Sequence, residues 1–156
     1  MNETRRLAAE YHKLTGQVLP VSSELGRFYV GNLLSFEIPQ QIESGVDLIG
    51  TGIWAELKIQ IKARVLFNTP SHSKARVGQF KLGGAWQAVA LILMNDLYLP
   101  QEIYLCQRAA LEQAISVPTA QPGFTHKGRG MMSVAKFKAI SLLIWAEGRG
   151  IITDEK

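Results

Sequence analysis

The most informative stretch of the chain is ELKIQIKARVLF, residues 56–67. Apolar side chains occupy every odd-numbered position, and charged or amide side chains occupy every even-numbered position except the last. Only a β-strand, whose successive side chains point to opposite faces, satisfies a period of two over this length. We therefore predict a strand with one face in the core and a row of polar groups on the other.

Three more strands are predicted around this one. Residues Ala85–Met94 form a nearly continuous apolar run, which is typical of a strand buried on both faces. A short strand at 46–49 leads into a glycine-containing turn, and Glu102–Cys106 is predicted as a partner strand. The polar stretch Asn68–Gly84 is predicted to be a linker.

Helices are predicted on both sides of these strands from apolar spacings of three and four residues. Two precede the strands and two follow them, and their predicted ranges are Thr4 to Gly16, Ser22 or Ser23 to about Leu34, Arg108–Ile115 and Ser133–Glu147. The order predicts an α+β (mixed α/β) fold with a central mixed sheet of about four strands flanked by helices. At 156 residues, the chain matches a single domain, whose usual length is about 150 residues.

The composition is that of a folded domain, with 47% hydrophobic and 19% charged residues. The lone Cys106 excludes a disulfide framework and a cysteine zinc site, and the three dispersed histidines form no spaced metal motif. No apolar run approaches the roughly 18 residues of a membrane span, and the first residues lack the apolar core of a signal peptide. We therefore expect a cytoplasmic protein with no membrane partner.

Charge is distributed unevenly along the chain. Residues 1–56 carry a net charge of −3, whereas residues 57–146 hold eleven basic and three acidic residues, a net charge of +8. The stretches 57–95 and 113–146 contain no acidic residue. This asymmetry favours a surface that faces a polyanion, although chance scatter in a weakly basic protein gives the same pattern.

Polar residues with metal-binding chemistry lie where the first two predicted strands meet. Asp47 heads the short strand, and Gln60 and Lys62 share the polar face of the next one because they are two residues apart. Carboxylate and amide oxygens are ligands that Mg²⁺ accepts. A lysine beside them can orient a nucleophile and offset the charge that grows on a phosphate under attack. The arrangement is typical of a metal-dependent phosphodiesterase.

Several segments resemble a known family. GVDLI at 45–49, followed by a turn and IQIKAR at 59–64, resembles the core of the PD-(D/E)XK, or restriction-endonuclease-like, superfamily, in the variant where glutamine replaces the second acid. LAAEY at 7–11, LTG at 14–16 and SVAKFK at 133–138 are similar to a group of small uncharacterised bacterial proteins assigned to that fold. The resemblance implies a restriction-endonuclease-like sheet and Mg²⁺-dependent hydrolysis of DNA phosphodiester bonds.

The resemblance also implies a role for each residue of the motif. Asp47 and Gln60 would bind Mg²⁺ or Mn²⁺, Lys62 would be the catalytic lysine, and Glu24 on the preceding helix would supply a further acid. The charge pattern separately predicts contacts to the nucleic-acid backbone. The residues predicted to make them are Lys58, Arg64, Lys74, Arg76, Lys127, Arg129, Lys136 and Lys138.

Each of these assignments has an alternative. The row of polar side chains on the strand is also the pattern of a strand face exposed to solvent. The Asp47 carboxylate is also suited to accept hydrogen bonds from turn amides, and the Glu24 carboxylate is also suited to stabilise a helix N-terminus. Glu56 and Lys58 also satisfy an acid-x-lysine pattern, and the turn length decides which pair faces Asp47. For the whole protein, the alternatives are a nucleic-acid-binding module without catalysis and a protein–protein adaptor. A homodimer through a sheet edge near Glu102–Cys106 is a further prediction.

Overall fold

The structure is a computed structural model that describes residues 1–67, 75–116 and 132–153. Its helices are α1 (Asn2–Thr15), α2 (Ser22–Leu34), α3 (Arg108–Ser116) and α4 (Val134–Ala139), and a 3-10 turn covers Gly52–Trp54. None of the helices in these residues is long and apolar enough to cross a membrane. The strands are β1 (Leu48–Ile49), β2 (Lys58–Val65), β3 (Arg76–Gly78), β4 (Ala88–Met94), β5 (Pro100–Gln107), β6 (Met132–Ser133), β7 (Leu142–Ala146) and β8 (Gly150–Ile151).

One mixed sheet forms the centre of the fold. Its strands lie in the order β1-β2-β4-β5-β7-β8, and neighbours are antiparallel except β2 and β4, which are parallel. β3 and β6 form a separate antiparallel pair. The predicted α+β class with a mixed sheet is confirmed. The predicted number of about four strands is wrong, because six strands form this sheet.

The two faces of the sheet carry two different cores. α1 and α2 contribute to the first core, whereas β3, β6, α3 and α4 contribute to the second. Every residue of β4 is buried, which confirms the strand predicted from the apolar run. Its side chains alternate between the cores: Ala88, Ala90, Ile92 and Met94 belong to the first, and Val89, Leu91 and Leu93 belong to the second.

β2 shows the predicted alternation, and its polar row faces the side of the second core. Ile59, Ile61 and Ala63 are buried in the first core. The predicted strand from Glu56 to Phe67 is shorter in the structure, Lys58–Val65. Its polar face is not fully solvated, because Gln60 is 4% exposed.

α2 approaches the centre of the sheet closely at Gly26. A β-carbon built on Gly26 would lie 2.6 Å from Cβ of Ala63 and 3.1 Å from Cγ2 of Ile92. Ala63 and Ile92 face each other on β2 and β4, so the helix crosses directly over this pair. Glycine, which lacks a β-carbon, permits the approach. The contact also fixes the position of Arg27, the next residue of α2.

The last helix is shorter than its apolar spacing predicts. Ser133 caps α4 by accepting the backbone N–H of Lys136 at 3.1 Å, as expected. The helix nevertheless ends at Ala139, so the predicted helix to Glu147 is wrong. Leu142–Ala146 forms β7 instead, because its backbone pairs with β5.

Two other predictions are corrected by pairing between segments distant in the chain. The predicted linker Asn68–Gly84 contains β3, which pairs with β6. Glu102–Cys106 is not a sheet edge, since β5 lies between β4 and β7. The edge proposed for a homodimer is therefore already hydrogen-bonded on both sides.

Candidate functional site

A cleft of about 490 Å³ lies between the start of α2, the segment leading into β1, the middle of β2 and the loop at Lys81. This volume is within the range of ligand-binding pockets. The cleft brings together the three residues of the sequence motif, Asp47, Gln60 and Lys62. Its charged and amide-bearing lining residues are Arg27, Glu43, Asp47, Gln60, Lys62 and Lys81.

The β1–β2 hairpin positions Asp47. Leu48 faces Ile59 across the hairpin, which brings Asp47 level with Gln60. The backbone N–H of Asp47 donates to the carbonyl of Ile59 at 2.8 Å, and its Oδ2 accepts the N–H of Ile61 at 2.8 Å. The Asp47 side chain thus continues the hairpin hydrogen bonds beyond the end of β1, and this fixes its carboxylate at the cleft.

The alternative acid-x-lysine pair does not line the cleft. Glu56 lies in the turn before β2, in a left-handed conformation with φ 63°. Lys58 forms an ion pair with Glu43, with Nζ 2.8 Å from Oε1. The geometry therefore places Gln60 and Lys62, rather than Glu56 and Lys58, beside Asp47.

Gln60 lines the cleft and is almost completely buried. The residue is 4% exposed, and its Oε1 is buried without a hydrogen-bond partner in the described part of the chain. Leaving a buried acceptor unpaired costs about 1–3 kcal/mol. Gly45 helps to make the room, because a β-carbon there would lie 2.8 Å from Cδ1 of Trp86 and 3.3 Å from Nε2 of Gln60. A buried acceptor of this kind is satisfied by a water molecule or an ion, or is left unpaired at a functional site.

Lys62 is half-buried beside the motif aspartate. Its Nζ donates to the carbonyl of Gln79 at 2.6 Å and lies 5.7 Å from the centre of the Phe80 ring. Burial lowers the pKa of the Lys62 ammonium. The positive charges of Arg64 and Lys81 lower this pKa further, while the Asp47 carboxylate raises it. Lys62 therefore loses its proton at a lower pH than an ordinary lysine.

The Asp47→Asn substitution is expected to lower the pKa of Lys62 further, because it removes a nearby negative charge that favours the ammonium. An NMR titration of the Lys62 side-chain methylene signals measures this pKa directly. The matched control is Asp96→Asn at an exposed position, because Asp96 is not among the charges that shift Lys62. An unchanged or higher Lys62 pKa in Asp47→Asn would contradict the arrangement.

Glu24 does not line the cleft, and an arginine separates it from Asp47. Nη1 of Arg27 lies 3.4 Å from Oδ1 of Asp47, and Nη2 lies 3.4 Å from Oε1 of Glu24. The Glu24 side chain is 52% exposed, and that of Asp47 is 25% exposed. One guanidinium therefore bridges the two acids predicted to bind a metal.

The donor atoms are of the kind that Mg²⁺ prefers, but their arrangement does not fit a metal ion. Both oxygens of Asp47 are engaged, one by the Ile61 amide and one by Arg27. In the described ranges 1–67, 75–116 and 132–153, no three His, Cys, Asp or Glu side chains form a group that could hold a metal. The two carboxylates are arranged around Arg27 rather than around a vacant point.

The other basic residues predicted to contact nucleic acid lie in different surroundings. The Arg64 guanidinium donates to the carbonyls of Ala63, Arg76 and Val77. Arg76 is exposed on β3. On α4, Nζ of Lys136 donates to the carbonyl of Ala114 at 3.4 Å, and Nζ of Lys138 lies 3.5 Å from Glu102. Three of the predicted residues lie outside the described part of the chain: Lys74, Lys127 and Arg129.

Sequence reasoning missed Arg27, Glu43 and Lys81 as cleft residues. Arg27 follows Glu24 by three residues on α2, and this spacing was the available signal for an ion pair. Lys81 comes from the predicted linker, where no periodic pattern indicates its position. Its loop is held by Trp86 Nε1, which donates to the Lys81 carbonyl at 2.6 Å, and by Arg108, which stacks 4.4 Å over the Trp86 ring.

No family model matches this chain, and the curated proteins include no significant match to it. The geometry and charge of the cleft are therefore the basis for a functional assignment.

Proposed function

We propose that the protein binds nucleic acid, with DNA as the partner, by accepting a backbone phosphate in the cleft beside Lys62 and Lys81. The observation that carries this proposal is the convergence of two lysine ammonium groups, Lys62 and Lys81, on one cleft. The third cation there, Arg27, is paired with Asp47 and Glu24, and the acidic residues among the described lining are Glu43 and Asp47. A phosphate group is the anion that such a cleft suits.

The mutual repulsion of the cationic groups supports an anionic ligand. The Lys81 charge is one of the causes that lower the Lys62 pKa. A phosphate bound between these ammonium groups would relieve the repulsion and raise the Lys62 pKa. Binding is therefore expected to weaken as the pH rises through the Lys62 pKa, since the protonated lysine is the form that attracts the phosphate.

A polymeric ligand is favoured by the charge outside the cleft. Residues 57–146 carry a net charge of +8, and the exposed Arg76 belongs to this region. A strongly basic chain segment that supplies Lys62 and Lys81 to the cleft favours a polyanion over a single small anion. A restriction-endonuclease-like fold is part of the proposal, supported by the mixed sheet and by the hairpin that carries Asp47, Gln60 and Lys62.

The wild-type protein is expected to bind a fluorescently labelled DNA duplex in EDTA. With two to three phosphate contacts, the slope of log K against log salt should be about −2 to −3. Fluorescence anisotropy across a salt series measures this slope. Adding Mg²⁺ instead of EDTA should not strengthen binding, because Mg²⁺ competes with the protein for the DNA phosphates. Absence of salt-dependent DNA binding would reject the proposal.

A second candidate is Mg²⁺-dependent hydrolysis of DNA, which requires that Arg27 first move away from Asp47 and Glu24 so that a metal ion can bind. The unpaired Oε1 of Gln60 and the lowered pKa of Lys62 beside Asp47 favour it, because perturbed groups in a cleft are typical of active sites. This candidate predicts cleavage of DNA with Mg²⁺ or Mn²⁺ that is lost in Asp47→Ala and Lys62→Ala. If the wild type cleaves no DNA with either metal, the binding function stands alone.

A further inference from the structure

The loop at residues 81–86, which carries Lys81 to the cleft, is held by Arg108, the first residue of α3. Nη1 of Arg108 donates to the carbonyls of Gly84 at 2.6 Å and Trp86 at 2.9 Å, and its Nη2 donates to the carbonyl of Leu82. A guanidinium presents five N–H donors in one plane, so it can engage several carbonyls at once. One side chain therefore joins three carbonyls of the 81–86 loop.

Trp86 connects Arg108 to the backbone of Lys81. Cζ of Arg108 lies 4.4 Å from the centre of the Trp86 ring, and the indole Nε1 donates to the Lys81 carbonyl at 2.6 Å. Trp86 is 1% exposed, so its ring is fixed by the surrounding core. Nε of Arg108 lies 2.7 Å from Oε1 of Glu112, which holds the guanidinium in place. The contacts thus run from α3 through Trp86 to the residue that carries the cleft ammonium.

The 81–86 loop is also packed against the segment that leads into β1. The N–H of Ala85 donates to the carbonyl of Ser44, a cleft residue, at 2.8 Å. A β-carbon on Gly84 would lie 2.8 Å from this carbonyl oxygen and 2.8 Å from Cδ1 of Trp86. The backbone of Lys62, in contrast, is held by the pairing of β2 with β4. The two cleft lysines therefore depend on different supports.

From these contacts we infer that Arg108 is a positioning residue for phosphate binding, which sets the 81–86 loop so that Lys81 reaches the phosphate beside Lys62. This role rests on the proposed function, because it concerns the same phosphate site. Arg108 does not line the cleft itself. Its guanidinium is engaged by the loop carbonyls and by Glu112, so it acts through the loop.

The test is DNA binding by Arg108→Lys, which keeps the positive charge but loses the planar set of donors. The affinity for a labelled DNA duplex is measured by fluorescence anisotropy in EDTA at 0.1 M salt. Arg108→Lys should bind about threefold more weakly than the wild type, which is one lysine's share of the roughly eightfold loss expected for one phosphate contact. Arg6→Lys makes the same change at an exposed position of α1 and should bind like the wild type.

Combination with the cleft variants separates positioning from a general effect on the fold. In the Lys81→Gln background, Arg108→Lys should weaken binding no further, because the ammonium group that it positions is gone. In the Lys62→Gln background, the same substitution should weaken binding by about threefold again. A general loss of folded protein would weaken binding by one factor in both backgrounds.

A second variant interrupts the same contacts at Trp86. Trp86→Phe keeps an aromatic ring beside Arg108 but has no indole N–H for the Lys81 carbonyl, so it should also weaken binding by about threefold, and only while Lys81 is present. Circular dichroism establishes that each variant is folded. Wild-type affinity in folded Arg108→Lys and Trp86→Phe would overturn the positioning role, as would an equal loss with and without Lys81, and both results leave the proposed DNA binding intact. A wild type that binds no DNA would reject the proposed function and the positioning role together.

Discussion

Replacing Gly26 by alanine is expected to lower the free energy of unfolding by about 2 kcal/mol, the usual size of an overpacking penalty. The new β-carbon would lie 2.6 Å from Cβ of Ala63, and this atom cannot rotate away because alanine has no side-chain rotamers. Alanine is intrinsically the better helix former by about 1 kcal/mol, so a loss of stability would show that the steric clash outweighs helix propensity.

Gly31→Ala is the matched control on the same helix. The nearest heavy atom to a β-carbon at Gly31 is the Phe36 carbonyl oxygen at 3.8 Å, an ordinary contact distance. This variant is expected to be more stable than the wild type by about 0.5–1 kcal/mol, since alanine loses less backbone entropy on folding. Urea denaturation, monitored by circular dichroism, measures the free energy of unfolding of the wild type, Gly26→Ala and Gly31→Ala.

Two outcomes of the denaturation experiment would contradict the close contact of α2 with the sheet. One is a Gly26→Ala protein as stable as the wild type, and the other is equal destabilisation by Gly31→Ala. A stable Gly26→Ala protein would mean that α2 lies farther from β2 and β4. The position of Arg27 near Asp47 would then lose its structural basis, because Arg27 follows Gly26 on α2 while the β1–β2 hairpin holds Asp47.

The central part of the fold is predictable because its signals are local. The alternation in 56–67 predicts β2, and the apolar run that ends at Met94 predicts β4, since both patterns follow from the pleat of a strand. α2 ends at the predicted Leu34, but the predicted serine cap is wrong, because the helix begins at Ser22 with Val21 as its N-cap and no side chain caps it. On this helix Leu25 is buried, whereas Phe28 is 41% exposed.

The elements that sequence reasoning missed depend on contacts between distant segments. Leu142–Ala146 is apolar at helical as well as strand spacing, and only its pairing with β5 decides for a strand. β3 lies in a polar stretch, and it exists because β6 supplies its partner. Local periodicity cannot reveal either pairing.

The candidate site likewise contains residues that local sequence patterns predict and residues whose positions depend on contacts between distant segments. Asp47, Gln60 and Lys62 were predictable because one hairpin holds all three. Arg27 was not predicted, because its role depends on how closely α2 crosses the sheet at a glycine. Lys81 reaches the cleft from a loop that is held by a hydrogen bond from Trp86. No periodic pattern in the sequence indicates that contact.

Removing the two cleft lysines should cause the largest loss of DNA binding. In Lys62→Gln/Lys81→Gln, the phosphate held between the two lysines is no longer neutralised, and at 0.1 M salt the loss of one phosphate contact weakens binding by about eightfold. The double variant should therefore bind about eightfold more weakly than the wild type, and its salt slope should be smaller by about 1. Circular dichroism establishes that it remains folded.

The matched control removes the same charge elsewhere. Arg6→Gln/Lys13→Gln changes two exposed basic residues of α1, so it lowers the net charge equally without touching the cleft. A uniform electrostatic attraction would weaken binding equally in both double variants. If instead the phosphate is bound in the cleft, only the Lys62→Gln/Lys81→Gln variant binds DNA more weakly.

The cleft is tested most directly by fluorescence anisotropy titrations of one labelled DNA duplex in EDTA over a salt series. The wild type, the cleft variant Lys62→Gln/Lys81→Gln and the α1 variant Arg6→Gln/Lys13→Gln are titrated side by side. We expect the wild type and the α1 variant to share one salt slope and nearly one affinity, and the cleft variant to lose both affinity and slope. The proposal would be contradicted if the cleft variant kept the wild-type slope, or if the α1 variant lost as much affinity as the cleft variant.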